Sequence, residues 1–288
     1  MAFNHKICTF ALRELKKKMD SVKVLYISQE ITPYLPETEI SVISRKLPQA
    51  IQEKGKEIRA FMPRFGNVNE RRNQLHEVIR LSGMNIIIDD TDHPLIIKVA
   101  SIQSARMQVY FIDNDDFFQR KYTIADENGE FEDNEDRSIF FVRGVLETVK
   151  KLRWTPDIIH CHGWMTALTP IYIKKAFNTD PFFKNSKVVY SLYGDDFQRP
   201  FSDNFAQKLK LDGISDEDVK SIANKAVTYT DLSKFAVDYS DAAIVGSESV
   251  NKELLAHIEQ SGKPYLPFQN PDTYVDAYNE FYDKILAK

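Results

Sequence analysis

The residues most able to do chemistry lie together at His160, His162 and Trp164, at the end of the apolar run 157–161. Such a run is typical of a buried strand, and side chains alternate faces along a strand, so the two histidines share one side. In open α/β sheets, ligands bind at the carboxyl ends of the strands. The His162 imidazole could therefore donate a hydrogen bond to a sugar hydroxyl or a phosphate. The alternative is that both histidines are structural and bond to nearby backbone groups.

Other chemistry has less support. The His-Cys-His run lacks further ligands at a recognised spacing, so neither a metal site nor a cofactor is predicted. The sequence holds no Gly-x-Gly-x-x-Gly or Walker motif, and loop 29–39 contains no glycine to approach a pyrophosphate. Glu37 and Glu39 in that loop oppose an anionic ligand. Ser247 and Ser249 are predicted to cap a helix. Asp195-Asp196 could form a metal or acid–base pair, but adjacent residues at a strand end usually point apart, which favours a solvated turn.

The composition narrows the class of protein. The 288 residues are 43 % hydrophobic and 28 % charged, as in globular domains. The 38 basic and 42 acidic residues give a net charge of −4. The chain therefore lacks the excess of basic residues that is typical of a nucleic-acid-binding protein. No apolar run approaches the roughly 20 residues of a membrane span, so no membrane partner is expected. Cys8 and Cys161 are too few for a disulfide framework, which favours a cytoplasmic location.

Hydrophobic periodicity predicts alternating strands and helices. Strands are predicted at 22–28, 57–62, 157–161, 187–193 and 242–246, and helices at 39–53, 137–154, 165–177, 216–226, 231–239, 248–260 and 272–286. This order predicts an α/β fold, a single Rossmann-like doubly wound parallel sheet. Short β-prone runs, among them 78–81, 84–88 and 95–102, indicate an antiparallel β insertion, with a turn at 89–94. The acidic stretch 113–136 is either a mobile lid or a solvated loop.

Several segments, which keep the same order along the chain, resemble bacterial glycogen synthases and plant starch synthases. They are KVLYISQEITPY, RKLPQAIQEKGKEIRAFMPRFG, QVYFIDNDDFFQR, FEDNEDRSIFFVRGVLE and DIIHCHGWMTALTPIYIK. Together they extend from about residue 22 to about 250. The resemblance implies the N-terminal half of a glycosyltransferase with two Rossmann-like domains, which transfers glucose from ADP-glucose to an α-1,4-glucan.

The resemblance also implies which residues face the cleft, and where this chain departs from the family. The family's Lys-Thr-Gly-Gly-Leu loop falls on residues 36–40, where its lysine and both glycines are absent. The family's His-Asp-Trp motif falls on His162, Gly163 and Trp164, and its later His-Asn pair begins at Tyr193. His162 is thus the candidate catalytic residue. The candidate substrate-binding residues are Trp164, Thr166 and Tyr193.

These departures predict a chain that is inactive alone, since the family's second nucleotide-binding domain is not recognised in it. The alternative function is a non-catalytic glucan-binding or regulatory protein. Possible ligands are an α-glucan or ADP-glucose, and possible partners are a second glycosyltransferase domain or a second copy in a homodimer. Residues 1–21 are predicted to be an N-terminal extension, with translation starting at Met1 or Met19, and 22–288 a single domain. Within it, 271–288 is predicted to form a closing helix.

Overall fold

The computed structural model describes residues 21–287, so the predicted extension before Ser21, with its alternative start at Met19, lies outside the described residues. The strands are β1 (Lys23–Ser28), β2 (Glu57–Pro63), β3 (His76–Glu77), β4 (Met84–Ile88), β5 (Thr91–Ile102), β6 (Met107–Asp113), β7 (Ala125–Asp126), β8 (Gly129–Glu130), β9 (Ile158–His162), β10 (Lys187–Leu192), β11 (Ala242–Val245) and β12 (Tyr265–Leu266). The α-helices are α1 (Glu39–Glu53), α2 (Glu70–Asn73), α3 (Asp115–Phe118), α4 (Asn134–Lys151), α5 (Thr169–Ile171), α6 (Phe205–Lys208), α7 (Tyr229–Tyr239), α8 (Lys252–Gln260) and α9 (Tyr274–Leu286).

One large sheet organises the domain. Its strand order is β12-β11-β10-β9-β1-β2-β6-β5-β3, and β4 pairs with β5 beside β3. Every neighbouring pair from β12 to β6 is parallel, whereas β5 runs antiparallel to β6, β3 and β4. The predicted α/β class, with a parallel sheet and an antiparallel insertion, is confirmed. The central strands β1 and β9 are buried on both faces, as their continuous apolar runs require.

Helix α1 shows how local sequence fixes an element. Thr38 accepts a hydrogen bond from the Ser41 amide at 3.0 Å while the Ser41 hydroxyl accepts one from the Thr38 amide at 2.8 Å. This reciprocal capping satisfies two amide groups that the first turn leaves free. Pro48 lies inside the helix, and α1 continues through it to Glu53.

Some helices and strands begin or end at residues other than the predicted ones, because turns form at those positions. The β-prone run 78–81 forms turns, and the insertion begins at β3 instead. The predicted turn 89–94 contracts to Asp89 and Asp90, both in the left-handed region, so β5 starts at Thr91. The predicted helix 165–177 is divided into a 3₁₀ turn, α5 and a π-helical turn. Of the predicted helix 216–226, only a 3₁₀ turn at Lys220–Ile222 forms.

The acidic stretch 113–136 is solvated in part, with Asp115, Asp116, Glu127 and Glu132 exposed, while other carboxylates hold it by specific bonds. Its second half contains the small β7–β8 hairpin. There the Glu130 carboxylate accepts hydrogen bonds from the backbone amides of Gln198 and Arg199. Glu135, only 3 % exposed, accepts hydrogen bonds from Ser202 and, at 2.8 Å, from Lys208. The carboxylates therefore fasten this stretch to the segment 198–208.

Helix α9 packs on the sheet and beside α1. Its buried face consists of Tyr278, Phe281, Tyr282 and Ile285. At its exposed edge, two residues from the end of α1 and the start of β2 pair with it: Lys54 with Asp276 at 2.6 Å and Lys56 with Asp283 at 2.8 Å. The helix thus covers one face of the sheet, above β1 and β9.

Candidate functional site

Strand register brings the candidate residues to one edge of the sheet. Ser28 at the end of β1 is the register partner of His162 at the end of β9, and His162 in turn aligns with Ser191 in β10. Tyr193 follows β10 directly. Because neighbouring parallel strands end at the same edge, the sequence order of these motifs becomes spatial proximity.

His162, the candidate catalytic residue, is completely buried. Its Nδ1 atom shares a 2.6 Å hydrogen bond with the Tyr193 hydroxyl, and its Nε2 atom has no hydrogen-bond partner within residues 21–287. Burial lowers the pKa of His162 to about 3. The imidazole is therefore neutral at physiological pH, and solvent does not reach it in this conformation.

Tyr193, a candidate substrate-binding residue, covers this imidazole and is 1 % exposed. A Cβ atom placed on Gly246, just after β11, would lie 2.5 Å from the Tyr193 ring, so only glycine leaves room for it. The Tyr229 hydroxyl donates a 2.8 Å hydrogen bond to the Tyr193 carbonyl oxygen and fixes the backbone there. Tyr193 thus occupies the space between His162 and the β11 end of the sheet.

The other two candidate substrate-binding residues are also fully buried. Trp164 packs edge-to-face against Phe197 and Phe201, with ring centroids 5.1 and 5.8 Å away. The Thr166 hydroxyl donates a 2.7 Å hydrogen bond to the Gly163 carbonyl oxygen. Both side chains stabilise the turn after β9 here, and their contact with substrate stays a prediction.

The backbone amides of that turn already have acceptors within the chain. Gly163 has a φ of +86°, a backbone conformation that favours glycine. The Trp164 amide donates to Asp195 Oδ2 at 3.1 Å, and the Met165 amide donates to Gln29 Oε1 at 3.2 Å. An anion or sugar hydroxyl at this turn would have to displace one of these side chains.

The burial of Asp195 at the site was not predicted from the sequence. It was predicted to lie in a solvated turn, but it is half-buried and accepts hydrogen bonds from Trp164 and, at 3.1 Å, from the Tyr229 hydroxyl. Burial, with a smaller contribution from the nearby Glu30, raises the pKa of Asp195 to about 6. Nothing in the local sequence distinguishes Asp195 from the exposed Asp196, since the difference arises from Tyr229, 34 residues away.

Replacing Asp195 by Asn is expected to stabilise the domain by about 1–2 kcal/mol at pH 8, allowing for partial solvent screening. The carboxamide oxygen of the new side chain can still accept from Trp164, while its amino group can donate to the Tyr229 hydroxyl, which keeps its own bond to Tyr193. A raised carboxyl pKa means that the folded state binds the extra proton between about pH 4 and 6. The increase in the free energy of unfolding that Asp195→Asn produces should therefore become smaller toward pH 4, as measured by urea unfolding curves.

The matched control for this substitution is Asp196→Asn, at the exposed neighbouring position. We expect it to change the free energy of unfolding by less than about 0.5 kcal/mol. A loss of stability in Asp195→Asn at pH 8 would mean that the hydrogen bonds of the carboxylate outweigh the cost of burying its charge.

Beneath the site lies a buried polar layer that α9 completes. His160, fully buried, shares a 2.6 Å hydrogen bond from Nδ1 with the Tyr282 hydroxyl and a 2.7 Å bond from Nε2 with Ser191 Oγ. The Tyr282 hydroxyl also donates to the Tyr26 hydroxyl at 3.3 Å. Burial and the neighbouring His162 hold the pKa of His160 well below its usual range. His160 is thus structural, with both ring nitrogens bonded to side chains.

The loop that would meet a nucleotide is acidic. Loop 29–39 contains no Lys or Arg, and both Glu37 and Glu39 are exposed at the start of α1. Glu30 accepts a 2.6 Å hydrogen bond from the Thr38 hydroxyl, which closes the loop on itself. Among the described residues, no group of three or more His, Cys, Asp or Glu side chains is placed to bind a metal ion. The same residues include no helix suited to crossing a membrane.

Comparison with known proteins identifies the lineage. Residues 23–263 match the family model for the starch synthase catalytic domain. The glycogen synthase of Chlorobium limicola is 34 % identical over 210 residues, 72 % of this chain and 43 % of that protein. The glycogen synthase of Chlorobaculum parvum is 31 % identical over 247 residues, 83 % of this chain and 48 % of that protein. The chain therefore spans about half the length of the curated relatives it matches.

A solved structure shows the same fold. The catalytic domain of starch synthase IV from Arabidopsis thaliana, bound to ADP and acarbose, superposes with a TM-score of 0.69 at 18 % identity. The match covers 88 % of this chain and 53 % of that one. Together with the match over residues 23–263, these relatives show that the chain belongs to the starch and glycogen synthase catalytic-domain family.

Proposed function

We propose that this domain does not transfer glucose from ADP-glucose by itself and serves instead as a non-catalytic α-glucan-binding protein of synthase lineage. The observation that carries the proposal is the Tyr193 side chain, which bonds to His162 and shields it from solvent. A catalytic residue must reach the reacting atoms, and a completely buried imidazole does not.

The part of the site that would bind ADP-glucose, the glucose donor, supports the same proposal. A departing diphosphate needs positioned cations or amide donors. Loop 29–39 offers three exposed or half-exposed glutamates and no cation, and the amides of Trp164 and Met165 are already bonded to Asp195 and Gln29. Each missing charge-assisted contact weakens binding by roughly 1.5–3 kcal/mol. Several such losses would remove most of the affinity for ADP-glucose.

Glucan as the ligand is supported by lineage. A structural relative was solved with acarbose, and the matched relatives are glycogen synthases. A second candidate function is glucosyl transfer in combination with a second glycosyltransferase domain or a second copy of this chain. The observation that favours it is the chain's coverage of only 43–48 % of its relatives.

A transfer assay tests the proposal. The chain is incubated with radiolabelled ADP-glucose and glycogen, with a full-length glycogen synthase as the positive control. We expect incorporation at the level of the blank for the native chain and for His162→Ala, and calorimetry should detect no ADP-glucose binding at micromolar strength. Incorporation by the native chain that His162→Ala abolishes would overturn the proposal. Tyr193→Phe provides a second variant, since it keeps the ring but removes the hydroxyl that bonds to His162.

A further inference from the structure

A strap of irregular chain lies over the turn that follows β9. This strap, residues 196–204 between β10 and α6, forms no helix and contributes no strand to the large sheet. Phe197 and Phe201 are buried, whereas the other seven residues of the strap are exposed. A single backbone bridge between Phe201 and Val227 secures its second half. Segments with few buried side chains and few backbone hydrogen bonds are the ones that open locally while the rest of a domain stays folded.

The strap covers Trp164, a candidate substrate-binding residue. The Phe197 and Phe201 rings stack on each other with centroids 4.5 Å apart, and both contact the indole ring. The indole Nε1 atom is buried and has no hydrogen-bond partner within residues 21–287. A buried donor without an acceptor is unfavourable, because water satisfies the same group when it is exposed. The closed strap thus seals Trp164 with an unmet hydrogen bond that opening would satisfy.

Two carboxylates from another part of the chain hold the strap closed. Glu130 accepts hydrogen bonds from the backbone amides of Gln198 at 2.9 Å and Arg199 at 2.7 Å. Glu135 accepts one from the Ser202 hydroxyl at 2.7 Å. Hydrogen bonds to a carboxylate are stronger than those between neutral groups. The strap is therefore attached to the β7–β8 hairpin and to α4 by these two glutamates, which we call the latch.

We infer that the strap is a conformational device that opens locally when the latch is released. Its position determines whether Trp164 is buried or accessible to a small molecule. The sheet stays intact in this motion, because the strap contributes no strand to it. This opening is independent of the proposed function, since His162 is covered by Tyr193, which lies outside the strap.

Fluorescence quenching on the full chain tests the device. The sequence contains two tryptophans, Trp154 and Trp164, so Trp154→Phe leaves Trp164 as the single reporter. In this background acrylamide should quench Trp164 weakly, because the indole is fully buried. Glu130→Ala removes the acceptor of two strap amides, and we expect it to raise the quenching constant about fivefold or more. An unchanged quenching constant in a folded Glu130→Ala chain would overturn the inference.

Glu132→Ala is the matched control for the latch. Glu132 lies two residues from Glu130 and pairs with the Arg199 side chain at the surface, where an ion pair contributes little. We expect it to leave the quenching of Trp164 unchanged. Ser202→Ala is a milder change that removes only the hydroxyl bonded to Glu135, and it should raise quenching about twofold. Equal exposure of Trp164 in Glu132→Ala and Glu130→Ala would mean that negative charge, and not the latch, holds the strap, and the inference would fail.

Hydrogen exchange separates local opening from loss of the whole fold. In Glu130→Ala, the amides of residues 196–204 should exchange about tenfold faster than in the native chain, since two charge-assisted hydrogen bonds are lost. Peptides from β1 and β9 should keep their native exchange rates. Faster exchange throughout the chain would show that Glu130 supports global stability, and the strap would then not be a separate opening unit.

These measurements use no glucan or nucleotide, so their outcome is separate from that of the transfer assay. Glucose transfer by the native chain would refute the non-catalytic role and leave the strap intact. A Trp164 that stays buried in Glu130→Ala would refute the strap and leave the non-catalytic role intact.

Discussion

Deleting residues 271–288 is expected to abolish cooperative unfolding of the domain at 25 °C. The deletion removes α9 and its buried residues Tyr278, Phe281, Tyr282 and Ile285. Burying a large apolar or aromatic side chain contributes about 2 kcal/mol, so the loss approaches the whole stability of a typical domain, about 5–15 kcal/mol. It also leaves His160 Nδ1 without its Tyr282 partner. Circular dichroism during heating and urea titration measures the result.

Two single substitutions serve as graded controls for the deletion. Tyr282→Phe keeps the ring but removes the hydroxyl, and we expect it to cost about 1–3 kcal/mol because a buried acceptor or donor loses its partner. Asp276→Asn removes an exposed ion pair with Lys54 and should cost less than about 1 kcal/mol. An unchanged Tm in the deleted chain would show that α9 is not a closing helix of this domain.

The sequence was informative wherever one short segment determined the outcome. The apolar runs 22–28 and 157–161 correctly predicted β1 and β9. The alternation of side chains along β9 correctly predicted that His160 and His162 lie on one face. The capping residue Thr38 fixed the start of α1. In each case the physical cause lies within about four residues, so that a single sequence contains it.

The burial of the candidate site could not be predicted, because its causes are distant in the chain. His162 is covered by Tyr193, 31 residues away, and His160 is bonded to Tyr282, 122 residues away. The space for Tyr193 depends on Gly246 in a different loop. A sequence-based interpretation recognises that a histidine ends a strand, but only the packing of three strands and α9 shows whether solvent reaches it.

The same reasoning explains the acidic stretch. A cluster of carboxylates usually indicates a solvated surface. Here Glu130 and Glu135 find backbone amides and Lys208 in the segment 198–208, about 70 residues later. Charge correctly predicted the exposure of Asp115, Asp116, Glu127 and Glu132, whereas the tertiary partners of Glu130 and Glu135 were not recognisable from the sequence.

The largest pH effect is expected from His160 and His162, which are buried in their neutral form. Both have lowered pKa values in the folded state, and His162 titrates at about 3, whereas an unfolded histidine titrates near 6.5. Below pH 6.5 the unfolded chain therefore binds more protons than the folded chain, so acid favours unfolding. The contribution of these two histidines to the free energy of unfolding is complete above about pH 7 and is lost as the pH falls. Each histidine contributes a slope of about 1.4 kcal/mol per pH unit.

Other titrating groups modify this profile in a predictable way. The raised pKa of Asp195, about 6, has the opposite sign, because its folded form gains a proton between about pH 6 and 4 and recovers part of the loss. The lowered pKa values of Asp218 and Asp231 contribute only below about pH 4. Tyr26, Tyr193 and Tyr282, which face the histidines, have raised pKa values and stay neutral throughout this range. Between pH 7 and 5 the histidines therefore dominate.

Urea unfolding at constant ionic strength from pH 8 to pH 4.5 tests this expectation. Below pH 6 the free energy of unfolding should fall by about 1.4 kcal/mol per pH unit, because the unfolded histidines take up about two protons while unfolding releases about one from Asp195. His162→Gln should lower that slope by about 1.4 kcal/mol per pH unit and so make the profile nearly flat between pH 6 and 5. His76→Gln removes an exposed histidine and should leave the profile unchanged. A native profile that is flat between pH 7.5 and 5 would mean that water or protons reach these imidazoles in the folded state, and the sealed site on which the non-catalytic role depends would then be wrong.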